Sequence, residues 1–195
     1  NWVEKFFAAA ILLLSAPLLA IACTAVYLEA GRPVIFRQNR LGIHGEEFVM
    51  FKVRTMVNGS QRVHSKLIRA QIEASGSFLV HQPSDARVTR VGRLLRLFSI
   101  DELPQFFNVL NGTMSLVGPR PILPEELRYL SPSQKRRFDV LPGLTGLAQV
   151  RGRSALTPEE YFASDLEYID DYSVSLYLKI LSRTPLAVLS VKGSA

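Results

Sequence analysis

The chain has 195 residues, with 23 Lys and Arg against 17 Asp and Glu, for a formal net charge of +6. That length allows one domain with a proper core plus one appendage, and the basic balance points to a polyanionic partner: nucleic acid, an anionic membrane surface or a phosphorylated small molecule. The lone Cys23 excludes an internal disulfide and reads as a small hydrophobe, while His44, His64 and His81 lack metal-ligand spacing.

Residues 6–28 carry no charge and are rich in Leu, Ala and Ile, long enough to cross a hydrocarbon layer as a helix. The run is longer than a signal-peptide core and no small-residue cleavage site stands out. Pro17 falls at its centre, where it removes a helical hydrogen bond and predicts a kink. A kinked apolar helix spans the bilayer or turns back within one leaflet, and the residues leave both open. Lys5 lies before the run and Arg32, Arg37 and Arg40 after it, so the positive-inside bias puts the bulk of the chain in the cytoplasm. The expected division is a membrane-inserted segment at residues 1–30 and a domain at 31–195. Because the chain starts at Asn1 and not at methionine, an upstream segment is left open.

At residue 34 the period changes. Val34-Ile35-Phe36 and residues 48–53 bracket Gly42 and Gly45, which predicts strand, turn, strand. Val49, Phe51 and Val53 then share one face, and Lys52 and Arg54 project together from the other. Residues 57–82 are polar, with a weak helical pattern at Val63, Leu67 and Ile72. Thr89 reads as an N-cap for a helix with Val91, Leu94, Leu95 and Phe98 on one face and Arg90, Arg93 and Arg96 off it. Such a helix suits the headgroup layer of an anionic membrane, or equally a solvated position on the core.

The segment 99–121 concentrates the chemistry. Leu103, Phe106, Phe107 and Leu110 fall at helical spacing. Pro104 is tolerated only near a helix start, which puts Asp101 or Glu102 at the cap. There, unpaired N–H groups and the macrodipole favour a carboxylate, so Asp101 is expected to be a permanent anion at neutral pH. A lone Asp before a helix is most often only a cap. The adjacent Glu102, the rigid Pro119-Arg120-Pro121 and the basic surroundings of the pair point to a reactive site instead. Further on, Pro142-Gly143-Leu144-Thr145-Gly146 predicts a turn, followed by a short strand with Gln149, Arg151 and Arg153 to one side. Thr157-Pro158-Glu159-Glu160 predicts a capped helix with Phe162, Leu166 and Ile169 inward beside Asp165. A last helix starts near Ser173, includes Leu176, Ile180 and Leu181, and is limited or kinked by Pro185.

Lys52 with Arg54, Arg120, and Arg151 with Arg153 thus supply cations from separated places around a carboxylate pair. Arginine grips phosphate oxygens with a planar fork, and an anionic nucleophile can attack a phosphoryl centre once Mg²⁺ and arginines offset the charge repulsion. This argues for phosphoryl transfer at a lipid surface. An aspartate can itself attack phosphorus and form an aspartyl phosphate, with Glu102 as base toward the second acceptor.

Four ordered motifs carry a resemblance over nearly the whole chain: Phe51-Lys52-Val53-Arg54-Thr55-Met56; Ser99-Ile100-Asp101-Glu102-Leu103-Pro104-Gln105; Gly118-Pro119-Arg120-Pro121; and residues 142–150 with Gly152-Arg153. The chain resembles the bacterial sugar transferases, the monotopic phosphoglycosyl transferases. The resemblance implies an enzyme that moves a phospho-sugar from a UDP-sugar to undecaprenyl phosphate, releasing UMP, in the first membrane step of bacterial glycan biosynthesis. It implies Asp101 as nucleophile and ligand of Mg²⁺, Glu102 as second member of the dyad, and Lys52, Arg54, Arg120, Gln149, Arg153 and Asp165 as substrate- or phosphate-binding residues. It also implies an α+β fold, mainly helical with a short β-hairpin, anchored by a re-entrant helix bending at Ala16-Pro17 and by amphipathic interfacial helices. The catalytic domain is expected on the cytoplasmic face of the bacterial inner membrane, against anionic lipids, with a homo-oligomer allowed. The chain departs from the family pattern at Thr113 of Gly112-Thr113-Met114-Ser115, where an Asp is usual, and at Tyr177, where an acid is common; both are expected to be structural. The sugar is left open, with a lean to N-acetylated sugars. The competing reading is a membrane-tethered basic binding or scaffold protein without catalysis, although no nucleic-acid-binding module is recognisable.

Overall fold

The computed structural model describes residues 1–60, 86–152 and 156–189. The fold is mixed, mostly helical, with an apolar helix at its N-terminal end. Helix α1 (Trp2–Ala30) opens at Asn1, whose side chain accepts the Val3 N–H at 3.1 Å, and runs through Pro17. Glu4, Ala8 and Leu12, and then Ala22 and Val26, are buried against the rest of the chain. Spacings of four residues keep each group on one face. Leu13, Leu14, Ile21 and Leu28 point outward and are strongly exposed. Both ends of α1 are tied down. At one, Ser115 and Tyr177 donate their hydroxyls to Glu4 Oε1. At the other, Glu29 accepts the N–H groups of Arg90 and Val91 at 2.8 and 3.0 Å.

The hairpin forms as expected: β1 (Ile35–Leu41) and β2 (Glu47–Val53) pair antiparallel through a 3₁₀ turn at Ile43–Gly45. Both of its faces are covered in part: Val53, on the side of Val49 and Phe51, is 1% exposed and packs with Ala22, Val26 and Leu95, and Arg54 lies past the end of the strand. Phe48, Met50 and Lys52 point inward, with Met50 3% exposed, whereas Val49 is 40% exposed. Alternation was uninformative because residues 48–53 are apolar on both faces. A polar contact is made instead at the strand edge, where Asn108 accepts the Phe51 N–H and donates to the Val49 carbonyl oxygen at 2.7 Å.

Thr89 caps α2 (Arg90–Leu97), its hydroxyl oxygen accepting the Gly92 N–H at 2.9 Å. The apolar stripe is narrower than predicted. Leu95 and Val91 pack with Ala22, Val26 and Val53, while Leu94 and Phe98 remain exposed. Gly92 sits so close to β2's outgoing chain that a Cβ there would lie 2.1 Å from the Thr55 carbonyl oxygen. Gly92→Ala must therefore displace α2 or Thr55, and a loss of about 2 kcal/mol or more is expected in chemical denaturation; an unchanged midpoint would show that the contact yields freely.

After Ser99, whose φ of 53° is left-handed, the chain enters a 3₁₀ turn (Ile100–Gln105) and then α3 (Phe106–Asn111), closed by Gly112 at φ 80°. Pro104 lies inside the 3₁₀ turn, so the helix starts earlier than predicted. Asp101 and Glu102 occupy its first turn, with Ser99 at the cap. A 3₁₀ turn advances by three residues and not 3.6, which shifts the phase of everything after it. Pro104, Gln105, Asn108 and Val109 are buried, and Phe107 is turned outward at 51% exposure. Thr113 is structural, its hydroxyl donating to the Asn108 carbonyl oxygen.

Strands β3 (Ser115–Val117) and β4 (Gly143–Thr145) pair in parallel. Two 3₁₀ turns, Pro124–Tyr129 and Gln134–Asp139, lie between them in sequence. The strand expected after Gly146 is instead a helix, α4 (Leu147–Arg151). Its residues Leu147, Ala148 and Gln149 are all buried, which an alternating strand cannot achieve. Helix α5 (Pro158–Asp170) carries the predicted capping box, Thr157 and Glu160 exchanging bonds at 2.8 and 3.2 Å. Helix α6 (Val174–Leu189) passes through Pro185. The main core gathers Ala8, Met50, Val109, Met114, Val117, Leu147, Tyr168 and Ile180. The pattern noted at Val63, Leu67 and Ile72 lies outside the described residues.

Candidate active site

The 3₁₀ turn bearing the two carboxylates packs on β2 and α1. From the inner face of β2, Lys52 donates its Nζ to Glu102 Oε1 at 2.8 Å, and Arg120 Nη1 stands 4.0 Å from the same oxygen. Asp101 is 7% exposed. Burial pushes its carboxyl up to about 6, helped by the adjacent Glu102 charge and opposed by Lys52, Arg96 and a backbone N–H. Asp101 thus remains mostly an anion at neutral pH, but a weaker acid than its place beside free N–H groups predicts, because inside the first turn loss of water outweighs those groups. At pH 7 such a group is still about nine-tenths ionised, yet basic enough to be a better nucleophile than an exposed aspartate. Lys52 is the leading charge that holds Asp101 down. Lys52→Met should therefore raise the acid limb of the pH–rate profile above about 6 and cost about 100-fold in turnover; an unmoved limb would assign that titration to another group.

Arg120 is held by its backbone. Three successive carbonyls of Pro119-Arg120-Pro121 each have a donor: the Gly143 N–H at 2.9 Å, Arg137 Nη2 at 2.6 Å and Arg40 Nη1 at 3.2 Å. Gly143 can approach this closely because it lacks a Cβ, which would lie 2.0 Å from the Gly118 nitrogen. The Arg120 side chain, about half exposed, reaches toward Glu102. Burial opposes its charge, but Glu102, Tyr161, Glu126 and Asp101 outweigh that and raise its pKa.

Behind this segment lies a buried ion pair. Arg137 Nη2 stands 2.9 Å from Asp165 Oδ2, and the side chains are 2% and 1% exposed. The guanidinium also stacks over Phe162 at 5.0 Å. Burial pushes Asp165 up to about 6 against the opposing Arg137 charge. Asp165 thus supports Arg120 through Arg137 and does not line the cleft.

The other expected cations disperse. Arg54 donates to the carbonyl oxygens of Ala30 and Gly31 and to Asn58, closing the C-terminal end of α1. Arg151 forks onto Glu167 at 2.5 and 2.6 Å at the surface. Gln149 is buried, with neither amide atom hydrogen-bonded among the described residues, and Arg153 lies outside the described residues. In their place the fold brings Arg40, Arg96 and Gln105 to the carboxylates. A cleft is lined by Arg40, Lys52, Glu102, Gln105 and Arg120 among others. Arg40 was legible in principle: Phe36 pairs with Lys52 and Arg40 with Phe48, so Arg40 and Lys52 share one face of the hairpin.

Among the described residues, no group of three His, Cys, Asp or Glu side chains is placed to hold a metal. Asp101 and Glu102 do supply two carboxylates beside a cationic cleft. That donor set suits a Mg²⁺ ion shared with substrate phosphates, not an all-protein cage.

Residues 1–191 match the family described as bacterial sugar transferase. The chain belongs to that family. Among its bacterial sugar transferase relatives, the uncharacterized sugar transferase EpsL of Bacillus subtilis is 43% identical, over 92% of this chain and 86% of its own. The UDP-glucose:undecaprenyl-phosphate glucose-1-phosphate transferase of Caulobacter vibrioides is also 43% identical, over 96% of this chain and 68% of its own. The undecaprenyl-phosphate galactose phosphotransferase of Salmonella typhimurium is 37% identical over 94% of this chain, which spans 39% of that longer protein.

Proposed function

We propose that this bacterial sugar transferase moves a sugar-1-phosphate from a UDP-sugar to undecaprenyl phosphate and releases UMP. The observation that carries the reading is the buried Asp101 of raised pKa, next in the chain to Glu102, which lines a cleft together with Lys52 and Arg120. The relatives named for glucose and galactose transfer supply the substrate class.

In this reading an Asp101 carboxylate oxygen attacks the phosphorus next to the sugar. The bond from that phosphorus to the bridging oxygen breaks, and UMP departs with the electron pair. An oxygen of undecaprenyl phosphate then attacks the aspartyl phosphate, restoring Asp101 and leaving a lipid diphosphate sugar. Lys52 and Arg120 offset the negative charge that builds up as two anions meet, and Glu102 takes the acceptor's proton where it is still protonated. Asp101 and Glu102 are the residues that would hold a Mg²⁺ ion, which would supply Lewis-acid charge stabilisation there.

The membrane reading is of a re-entrant helix at residues 1–30 with a catalytic domain at 31–195 on the cytoplasmic face of the inner membrane. It is supported by the two ends of α1, which both bond to later parts of the chain, at Glu4 and at Glu29. At 1.5 Å per residue the 29 residues of α1 measure about 43 Å. A straight span would separate its ends by a whole hydrocarbon core. On α2, the exposed Leu94 and Phe98 beside Arg90 and Arg93 suit an anionic headgroup layer.

The test is UMP release by purified protein given undecaprenyl phosphate, Mg²⁺ and, in parallel, UDP-glucose, UDP-galactose and UDP-N-acetylhexosamines. Continuous release with one donor is expected only in the presence of the lipid, while donor alone gives at most one UMP per protein; glucose or galactose, after the relatives' names, takes precedence over the N-acetylated sugars. No UMP from any donor overturns the reading.

A further inference from the structure

We propose that Arg40 is a diphosphate-binding residue of the donor site, an inference that rests on the reading above and adds to it a cation that the sequence motifs leave out. Arg40 and Lys52 rise from the same face of the hairpin, because the register sets Arg40 against Phe48 and Lys52 against Phe36. Both line the cleft that also holds Glu102, Gln105 and Arg120. Three of the five guanidinium N–H directions are occupied, Nε and Nη2 by Gln38 Oε1 at 3.1 and 2.7 Å and Nη1 by the Pro121 carbonyl oxygen at 3.2 Å.

Every one of those partners is neutral, and no carboxylate stands within ion-pair distance of Arg40 among the described residues. The site therefore holds a half-buried arginine that is fixed in direction and next to a second cation, Arg120. Burial is the main cause that lowers its pKa, to about 10, and Arg120 adds to this while Glu126, Glu125 and Glu102 oppose it. A guanidinium in that position remains charged at neutral pH and gains from an anion that bridges it to Lys52 and Arg120. Two phosphate groups joined by one oxygen offer the spaced anionic oxygens that such a cluster can share, while uridine carries no anionic oxygen at neutral pH.

The same contacts make Arg40 a support for Pro121, so the experiment separates holding the loop from holding the ligand. Binding of UDP, pyrophosphate and uridine to the purified full chain is measured by calorimetry with Mg²⁺, for the parent, Arg40→Gln and Arg40→Lys. Melting temperature is recorded alongside. The parent is expected to bind UDP and pyrophosphate. Arg40→Gln should weaken both by about tenfold or more and leave uridine affinity within about twofold, with Arg40→Lys in between because it keeps the charge without the fork. Should Arg40→Gln fold poorly, the guanidinium ¹⁵N resonances of the parent decide: the Arg40 signal shifts when pyrophosphate is added. Equal UDP affinity in the parent and a folded Arg40→Gln, a parallel loss for uridine, or an Arg40 signal that ignores pyrophosphate each overturns the proposal while leaving the transferase reading intact. A parent that binds neither UDP nor pyrophosphate overturns the transferase reading itself.

Discussion

Asp101→Asn is expected to abolish UMP release, lowering turnover by about four orders of magnitude or more, and at the same time to raise the melting temperature of the metal-free protein. The two outcomes share one cause. Burial lifts the Asp101 pKa from 3.8 to about 6, so its ionised form is disfavoured in the fold relative to the unfolded chain. The sign follows from linkage: a group with a raised folded pKa favours folding below its unfolded pKa, and that advantage is lost as pH rises through the folded value. Above about pH 6 the charge thus costs on the order of 2–3 kcal/mol, and below about pH 4 it costs nothing. The amide removes that cost while keeping the shape. Melting curves of parent and variant, taken without divalent ions, should converge at pH 4 and separate by about 5 °C at pH 7.5. Mass spectrometry of the parent after incubation with donor alone should find a phospho-sugar on Asp101. A variant that turns over as fast as the parent would remove the nucleophile from the account. A variant that is less stable at neutral pH would instead mean that Lys52 and Arg96 outweigh burial, contrary to the geometry.

Removing either member of the Arg137 and Asp165 pair should cost about 3–5 kcal/mol, because the partner is left charged in a place that water does not reach. Asp165→Leu and Arg137→Met are each expected to lower the denaturation midpoint sharply, while the double variant recovers most of the loss. Activity should not follow stability. In the double variant the Arg120 carbonyl still lacks the donor that Arg137 provides at 2.6 Å. The Arg120 side chain then loses its fixed approach to Glu102, with a fall of about 10- to 100-fold in turnover. Recovery of both stability and turnover would make the pair purely structural. A stable Asp165→Leu that fails only in donor binding would return Asp165 to the cleft.

These outcomes depend on features that the sequence exposed unevenly. The hairpin, the Thr89 cap, the capping box at Thr157 and the apolar helix were all legible, since each rests on a local rule of spacing or capping. The face of β2 was not, because its residues are apolar on both sides. The phase of α3 was legible in part: Phe106 and Leu110 pack against the core as expected, while Phe107 turns outward because a 3₁₀ turn ahead of the helix changes the residues per turn. At Leu147, burial on every side made a helix out of an expected strand. Within the site, the dyad and the rigid arginine stood out through adjacency and prolines, whereas Arg54 and Arg151 looked equally suited and turned elsewhere. Arginines are chemically alike in a sequence; only their partners tell them apart.

By itself the sequence determined a membrane-seeking helix, a basic chain and a pair of adjacent carboxylates near a proline-locked arginine. It did so because hydrophobicity, charge and backbone restriction are properties of short segments. Which cations meet the carboxylates, and whether Asp101 is a strong or a weakened acid, the tertiary structure alone decided. Both depend on how much water is excluded and on which side chains arrive from elsewhere in the chain, Lys52 from 50 positions away, and neither quantity exists until the chain has closed around the site.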